Sequence, residues 1–163
     1  MIVVGIDCGS VATGYGVVES DWRRHRARVS GTIRLPRASQ ASFAERLDRI
    51  HGALSELLER ERPDCVAIEE VFYAKNVRSA LQLSHVRGVA MQAAAALGLP
   101  VFEYSPRTIK SALTGYGDAD KTQVLHMVRS LLCLEEDPGS LDASDALAVA
   151  ICHIHSAPPT ARG

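Results

Sequence analysis

Acidic residues that end apolar segments are the first candidates for chemistry in this chain of 163 residues. Asp7 closes an apolar run at residues 2–6 and is followed by Gly9. The carboxyl ends of central strands are where α/β sheets bind ligands. Aspartate also caps turns of this kind. From this segment alone, a functional carboxylate and a turn cap are equally good interpretations of Asp7.

A second acidic pair, Glu69 and Glu70, follows the apolar run at residues 65–68, which is typical of a strand buried on both faces. Neighbouring strands lie about 4.8 Å apart, so one glutamate could face Asp7 across a shared cation. Without a cation, two carboxylates that close would repel strongly. Strand alternation sends Glu69 and Glu70 to opposite faces, and the pattern does not say which one is the partner. For the other glutamate we expect a solvated strand end.

Asp142 and Asp145 are three residues apart at the start of the last apolar segment, so on a helix they share one face. Acidic residues are favoured in the first helical turn, and capping is therefore a strong alternative for this pair. Combined with the two strand ends, the pair predicts a cluster of carboxylates.

Such a cluster suits hard divalent cations. Mg²⁺ takes oxygen ligands in octahedral geometry and keeps several waters, so a few carboxylates and a phosphate complete its shell. Two such ions about 4 Å apart can activate a water and stabilise the leaving oxygen of a phosphate displacement. Lys110 and Lys121 could neutralise charge on that phosphate, although a single lysine is usually a solvated surface group.

The remaining pattern predicts the elements that hold these residues. Three short strands, at about residues 1–7, 13–19 and 28–35, favour an antiparallel meander. An amphipathic helix from Ser42 to Pro63 then leads to the strand at 65–68, which such a crossover makes parallel to an earlier strand. The order predicts an α/β fold with a five-stranded mixed sheet, three strands antiparallel and two parallel, flanked by helices. The later elements are a helix at 77–97, a strand at 100–104 and helices at 106–113, 119–132 and 142–155.

Composition indicates one globular domain, which we place at residues 1–156, with a short flexible tail at 157–163. The chain is 47% hydrophobic and 23% charged, as globular proteins are. Its four cysteines lie far apart without a zinc motif, which indicates reduced thiols in a cytoplasmic protein. No leader or long apolar run predicts contact with a membrane. The net charge of -1 does not by itself favour a nucleic-acid partner, although basic residues between 75 and 129 could share a face.

As a set, six motifs closely resemble the RuvC family of bacterial Holliday junction resolvases, within the ribonuclease H-like superfamily. The resemblance covers nearly the whole chain. The motifs are GIDCGSVATGYGVV at 5–18, AIEEVFYAKN at 67–76, VRGVA at 86–90, VFEYSPRTIK at 101–110, ADKTQVLHMV at 119–128 and LDASDALAVAI at 141–151.

This resemblance implies a ribonuclease H-like fold and an endonuclease that resolves Holliday junctions by symmetric paired nicks, in homologous recombination and DNA repair. Two Mg²⁺ ions per site would support hydrolysis, with Mn²⁺ able to substitute. The resemblance favours Glu69 over Glu70, and it makes Phe72 the aromatic that stacks on a base at the crossover. It assigns metal binding and catalysis to Asp7, Glu69, Asp142 and Asp145, and DNA contacts to Phe72, Lys75, Arg78, Lys110 and Lys121.

The implied partners are four-way junction DNA, a second copy of the chain and the RuvA–RuvB branch-migration complex. The second helix would form the homodimer interface. Cys8 stands where the family usually has proline, and a thiol beside the metals could be oxidised or bind softer ions. Ser84, His85 and Val86 also depart from the small and polar residues common in the second helix.

Two other classes of protein fit part of the pattern. A sugar-kinase or actin-like ATPase shares the sheet order and the Asp-x-Gly-Ser loop, but it needs a second similar domain and an adenosine site. A catalytically inert DNA-binding scaffold of the same fold would be expected to lack one of the four acids, and all four are present. Magnesium-dependent nicking without ATP separates the nuclease from both.

Overall fold

One mixed sheet organises the described part of the chain. The structure, a computed structural model, describes residues 1–36, 40–70 and 76–157. Within these ranges five strands lie in the spatial order β3-β2-β1-β4-β5. They are β1 (Ile2–Asp7), β2 (Ala12–Ser20), β3 (His25–Arg34), β4 (Cys65–Glu69) and β5 (Val101–Tyr104).

The pairing of the strands confirms the predicted fold class. β1 pairs antiparallel with β2, and β2 pairs antiparallel with β3, which makes the meander. β4 lies parallel to β1 on its other side, and β5 lies parallel to β4. The carboxyl ends of β1 and β4 therefore meet at one edge of the sheet, where ligands bind in α/β proteins.

Five helices in the described residues cover the sheet. They are α1 (Phe43–Glu61), α2 (Val77–Ala96), α3 (Pro106–Thr114), α4 (Lys121–Leu132) and α5 (Leu141–Ser156). α1 begins with a capping box between Ser42 and Glu45, and α4 begins with one between Asp120 and Gln123. No helix of these ranges is both long and apolar enough to cross a membrane.

The two faces of the sheet carry separate hydrophobic clusters. Along β1, Val3 packs in the cluster with α3, α4 and α5, whereas Val4 and Ile6 pack in the cluster with α1 and α2. Along β4, Cys65 and Ala67 belong to the first cluster. This alternation is the period of two of a strand buried on both faces, and it fixes which side chains at the strand ends face α5.

Glycines let α5 pack directly on the sheet. A Cβ on Gly5 would clash with the Ala146 carbonyl and lie 2.7 Å from the Ala150 nitrogen. A Cβ on Gly14 in β2 would clash with the carbonyl of Asp142. Because only glycine permits so close an approach, these two positions set the distance between the sheet and the first turns of α5.

The element boundaries differ from the predicted ones mainly in β3, which begins at His25 rather than at residue 28. The hairpin before it is tightened by Asp21, whose Oδ1 accepts hydrogen bonds from the backbone nitrogens of Arg23 and Arg24. Trp22 in this turn has a φ of 73°. Because this turn is tight, His25, Arg26 and Ala27 pair with β2, although their polar sequence did not predict a strand.

Candidate active site

Asp7 and Glu69 lie side by side at the ends of β1 and β4. The last residues paired in the parallel register are Ile6 and Ile68, so the two acids are one step further along neighbouring strands. Each is two residues beyond a position that faces α5, namely Gly5 and Ala67. Alternation therefore turns both carboxyl groups toward α5. The same alternation turns Glu70 to the opposite face, and its backbone nitrogen donates a hydrogen bond to the Tyr104 carbonyl at 2.8 Å.

The first turns of α5 bring two further acids to the same edge. Asp142 and Asp145 are both half-buried. Neither caps the helix, because Ser140 is the N-cap and its side chain accepts a hydrogen bond from the nitrogen of Ala143 at 3.1 Å. Side-chain capping by this pair is therefore wrong, although Asp142 does lie in the first helical turn, as the alternative also expected.

Three of these acids line a pocket that two lysines also line. Asp7, Glu69 and Asp145 line it together with Lys110 and Lys121. Asp142 does not line the pocket, but its charge acts on Asp7. The apolar part of the wall comes from α3, α4 and α5, and it consists of Pro106, Ile109, Val124, Ala148 and Val149.

The pKa of Asp7 is raised from its ordinary value to about 7. Burial is the largest cause, followed by the charges of Glu69, Asp145 and Asp142. Burial and Asp145 also raise the pKa of Glu69, while a hydrogen bond from Asp7 and the two lysines oppose that rise. The raised pKa of Asp7 favours its protonated form, which can donate a hydrogen bond to the Glu69 carboxylate. The site therefore concentrates more negative charge than its own lysines neutralise.

Lys121 supplies part of the compensating charge. Its Nζ lies 3.2 Å from Oδ2 of Asp145, and this carboxylate is the main reason that the pKa of Lys121 is raised. Lys110 lies across the pocket and acts on Glu69 through its charge. Both lysines predicted to face DNA therefore lie at the carboxylates.

The donor set fits hard divalent cations. The pKa of the buried Asp7 carboxyl is raised partly by three neighbouring acids. A cation bound beside such a cluster is strongly stabilised by the surrounding negative charge. As placed, however, no three His, Cys, Asp or Glu side chains among the described residues converge closely enough to hold an ion. A proton between Asp7 and Glu69, and Lys121 on Asp145, satisfy the acids instead. Cation binding would thus require that proton to leave and the Asp145 side chain to turn from Lys121.

Cys8 lies apart from the carboxylates although it follows Asp7 in sequence. Its side chain packs in the cluster with α1 and α2, on the opposite face of the sheet. Burial raises the pKa of its thiol to about 12, with a further contribution from Asp7. Cys8 is therefore a protonated core residue here, which argues against the softer-metal role considered from the sequence.

The other predicted DNA contacts fall outside this pocket. Arg78 is exposed near the start of α2, in a separate groove that it lines with Arg46 and Gln82. Phe72 and Lys75 lie outside the described residues. Sequence reasoning did not single out Arg46, which is 9% exposed and reaches the carbonyl of Ser10 behind the β1 turn. Its position in an apolar-periodic helix, directly after Glu45 of the capping box, gave no sign of this contact.

The fold and the acidic pocket define a class of protein, a nuclease with a ribonuclease H-like fold. Residues 3–153 match the family model described as crossover junction endodeoxyribonuclease RuvC. The chain therefore belongs to the RuvC family.

Individual relatives agree along almost the full chain. The crossover junction endodeoxyribonuclease RuvC of Halorhodospira halophila is 53% identical over 161 residues, covering 98% of this chain and 94% of the relative. A solved structure of Thermus thermophilus RuvC in complex with Holliday junction substrate superposes with a TM-score of 0.86 at 34% identity, covering 95% of this chain and 94% of that one. The yeast mitochondrial Holliday junction resolvase Ydc2, at 14% identity and a TM-score of 0.68 over 94% of this chain and 77% of its own, shares the fold.

Proposed function

We propose that this chain resolves four-way DNA junctions by hydrolysing a phosphodiester in each of two opposed strands. The observation that carries the proposal is the pocket in which Asp7, Glu69 and Asp145 meet Lys110 and Lys121. Membership of the RuvC family and the likeness to a RuvC structure solved with junction substrate support it. All four acids that the family resemblance assigned to metal binding are present, which disfavours the inert scaffold.

Two divalent cations, Mg²⁺ with Mn²⁺ as a substitute, fit the excess of carboxylates, and such ions supply an activated water and stabilise the leaving oxygen. The chain's own contribution is to fix the carboxylate oxygens that would bind the cations. The sheet fixes Asp7 and Glu69, and α5 fixes Asp142 and Asp145. Once the side chains have turned toward a cation, their fixed backbone positions would limit further reorganisation during the reaction, which favours electrostatic catalysis.

The lysines are proposed to receive the DNA. If Asp145 served as a cation ligand, the Lys121 ammonium would be free of its ion pair with Asp145 and could contact a phosphate at the pocket mouth. Its side chain is 73% exposed, so it can reach outward without a backbone change. Lys110 borders the same pocket on α3.

Replacing Glu69 by Gln tests the active-site assignment. We expect cleavage of a labelled synthetic four-way junction to fall by at least about 10²–10³-fold, because a carboxylate proposed to hold a cation at the reacting phosphate is lost. Junction binding, measured by gel shift, should stay close to wild type since the change is nearly isosteric. Rates are measured in Mg²⁺ without ATP.

The neighbouring Glu70→Gln variant is the matched control. It removes the same charge from the residue that directly follows β4 and alternates to the opposite face, so its cleavage rate should remain within a few-fold of wild type. Equal loss in both variants, or full activity of Glu69→Gln, would refute the assignment of Glu69.

We propose that two copies associate through α2 so that two active sites meet a two-fold symmetric junction. Val77 and Leu81 on this helix are 76% and 56% exposed. Gly88 faces open space, whereas Ala90 and Val86 are buried in their own core. Of the departing residues, Ser84 and His85 are exposed and bond back to carbonyls of α2. The outward part of α2 is thus available to a partner.

Phe72→Ala tests the proposed opening of base pairs at the crossover. Stacking of an aromatic on a base contributes about 1–3 kcal/mol. We therefore expect the variant to cut a fully paired junction roughly ten-fold more slowly, while a junction with unpaired bases at the crossover is cut nearly as fast as by wild type. Equal slowing on both substrates would contradict the stacking role.

The RuvA–RuvB branch-migration complex is the proposed partner upstream of cleavage, in the cytoplasm. It rests on family resemblance alone, and co-elution of the purified components on junction DNA would test it.

A further inference from the structure

Two histidines from distant parts of the chain meet edge to edge far from the carboxylates. His25 begins β3 and His155 lies in the last turn of α5. Their Nε2 atoms are 3.4 Å apart, and their rings are tilted by 53° rather than stacked. Asp145 and His155 are separated along α5 by about 15 Å at 1.5 Å per residue. The pair is therefore a separate feature from the acidic pocket.

The second nitrogen of each ring is already engaged on the protein side. Nδ1 of His155 lies 3.0 Å from the carbonyl oxygen of Ala112, which can only accept a hydrogen bond, so this Nδ1 carries the proton in the neutral ring. Nδ1 of His25 lies 2.9 Å from Oγ of Ser20. A Nδ1–H bonded to a backbone carbonyl, as in His155, is the arrangement found behind most metal-bound histidines. In the metal-free chain the two Nε2 atoms lie within hydrogen-bonding distance of each other, and an ion would replace that contact.

The separation of the two Nε2 atoms matches a chelated ion. Zinc–imidazole bonds of about 2.0–2.1 Å at a tetrahedral angle place two ligand nitrogens about 3.3–3.4 Å apart. We propose that His25 and His155 form a binding site for a borderline transition-metal cation such as Zn²⁺, Ni²⁺ or Cu²⁺. Solvent completes its shell, because His155 is exposed.

The surroundings favour a cation and exclude the ions of the acidic pocket. The Asp21 carboxylate is close enough to act electrostatically on His25. Imidazole nitrogen suits zinc, nickel and copper, whereas Mg²⁺ and Mn²⁺ favour oxygen ligands. An ion here would join the edge strand β3 to the end of α5, two elements 130 residues apart in sequence. Binding would therefore stabilise the folded chain through linkage.

Thermal unfolding with added ZnCl₂ tests the site. The full chain carries Cys133→Ser, since Cys133 is an exposed free thiol, and excess Mg²⁺ competes for the carboxylates. At about 100-fold excess over its dissociation constant, zinc should raise the Tm by roughly 5 °C. His25→Gln and His155→Gln should each abolish the rise. His126→Gln, which removes an exposed histidine on α4, should retain it.

A second measurement does not depend on stability. One equivalent of Cu²⁺ should give an electron paramagnetic resonance spectrum with two coordinated imidazole nitrogens in the parent, and at most one in His155→Gln. Two-nitrogen coordination lost in the His155 variant supports the site even if His25→Gln does not fold. A Tm shift of the same size in all three variants, or no shift and no two-nitrogen signal, would overturn it.

Discussion

Replacing Asp7 by Asn is expected to abolish cleavage and at the same time to stabilise the folded protein at pH 8 in the presence of a chelator. The loss of activity, at least about 10³-fold, follows from the proposed removal of a central metal ligand. The gain in stability follows from the pKa of Asp7, which burial and its acidic neighbours raise to about 7. An amide in this position needs no ionisation, and it can still donate a hydrogen bond to Glu69.

The sign of the pH dependence follows from linkage. In the unfolded chain Asp7 titrates near its ordinary value of 3.8, whereas in the folded chain it titrates near 7. Between these values the folded state binds more protons, so wild-type stability falls as the pH rises through this window. Above pH 7 the full free-energy cost of ionising the buried Asp7 is present. The advantage of Asp7→Asn should therefore be small at pH 4 and reach on the order of 1–3 kcal/mol at pH 8.

Urea unfolding at pH 5 and pH 8, with and without Mg²⁺, measures this effect. Asp48→Asn is the control, because it removes an exposed carboxylate of α1 and should change neither activity nor the pH profile. Added Mg²⁺ should stabilise wild type more than Asp7→Asn. If wild type and Asp7→Asn lose the same stability between pH 5 and pH 8, ionisation of Asp7 does not destabilise the folded protein.

The choice between Glu69 and Glu70 shows how far the sequence could go. Period-two alternation said that only one of them could join Asp7. It could not assign the phase, because residues 65–68 are apolar on both faces. The phase is set by contacts with α5: Ala67 packs under that helix, and Glu69 follows it two residues later. A small residue two positions before each acid, Gly5 and Ala67, was a local signal, but it becomes interpretable only once a helix is known to cross above both strands.

Other parts of the site depended on long-range contacts that leave no local pattern. Asp142 and Asp145 resembled a helix cap until Ser140, one residue before the helix, was seen to accept the hydrogen bond instead. The meeting of His25 and His155 requires the lengths of β3 and α5, which the sequence underestimated by three residues at the start of β3. By contrast, the antiparallel meander and the parallel crossover to the strand at 65–68 followed from short connections and crossover handedness, since few topologies satisfy both.

Replacing Gly14 by Ala is expected to damage the site without touching an acidic side chain. The new Cβ would clash with the carbonyl of Asp142 and lie 3.0 Å from its Cβ. Because backbone rather than a flexible side-chain end is in the way, β2 and the first turn of α5 must separate. Overpacking of this kind costs typically 1–3 kcal/mol, and the displaced Asp142 carboxylate should lower the cleavage rate by about 10²-fold.

Gly52→Ala separates this effect from a general intolerance of larger residues. Gly52 lies within α1 with no atom within 4 Å of an added Cβ, so alanine there should stabilise the helix by about 0.5–1 kcal/mol and leave cleavage unchanged. Urea midpoints and junction cleavage are measured for both variants, below the unfolding temperature of the weaker one. If Gly14→Ala kept wild-type stability and activity, α5 would not pack against β2 closely enough to exclude a Cβ at residue 14. Lost stability with full activity would mean instead that Asp142 tolerates displacement and is not a ligand whose position limits the reaction.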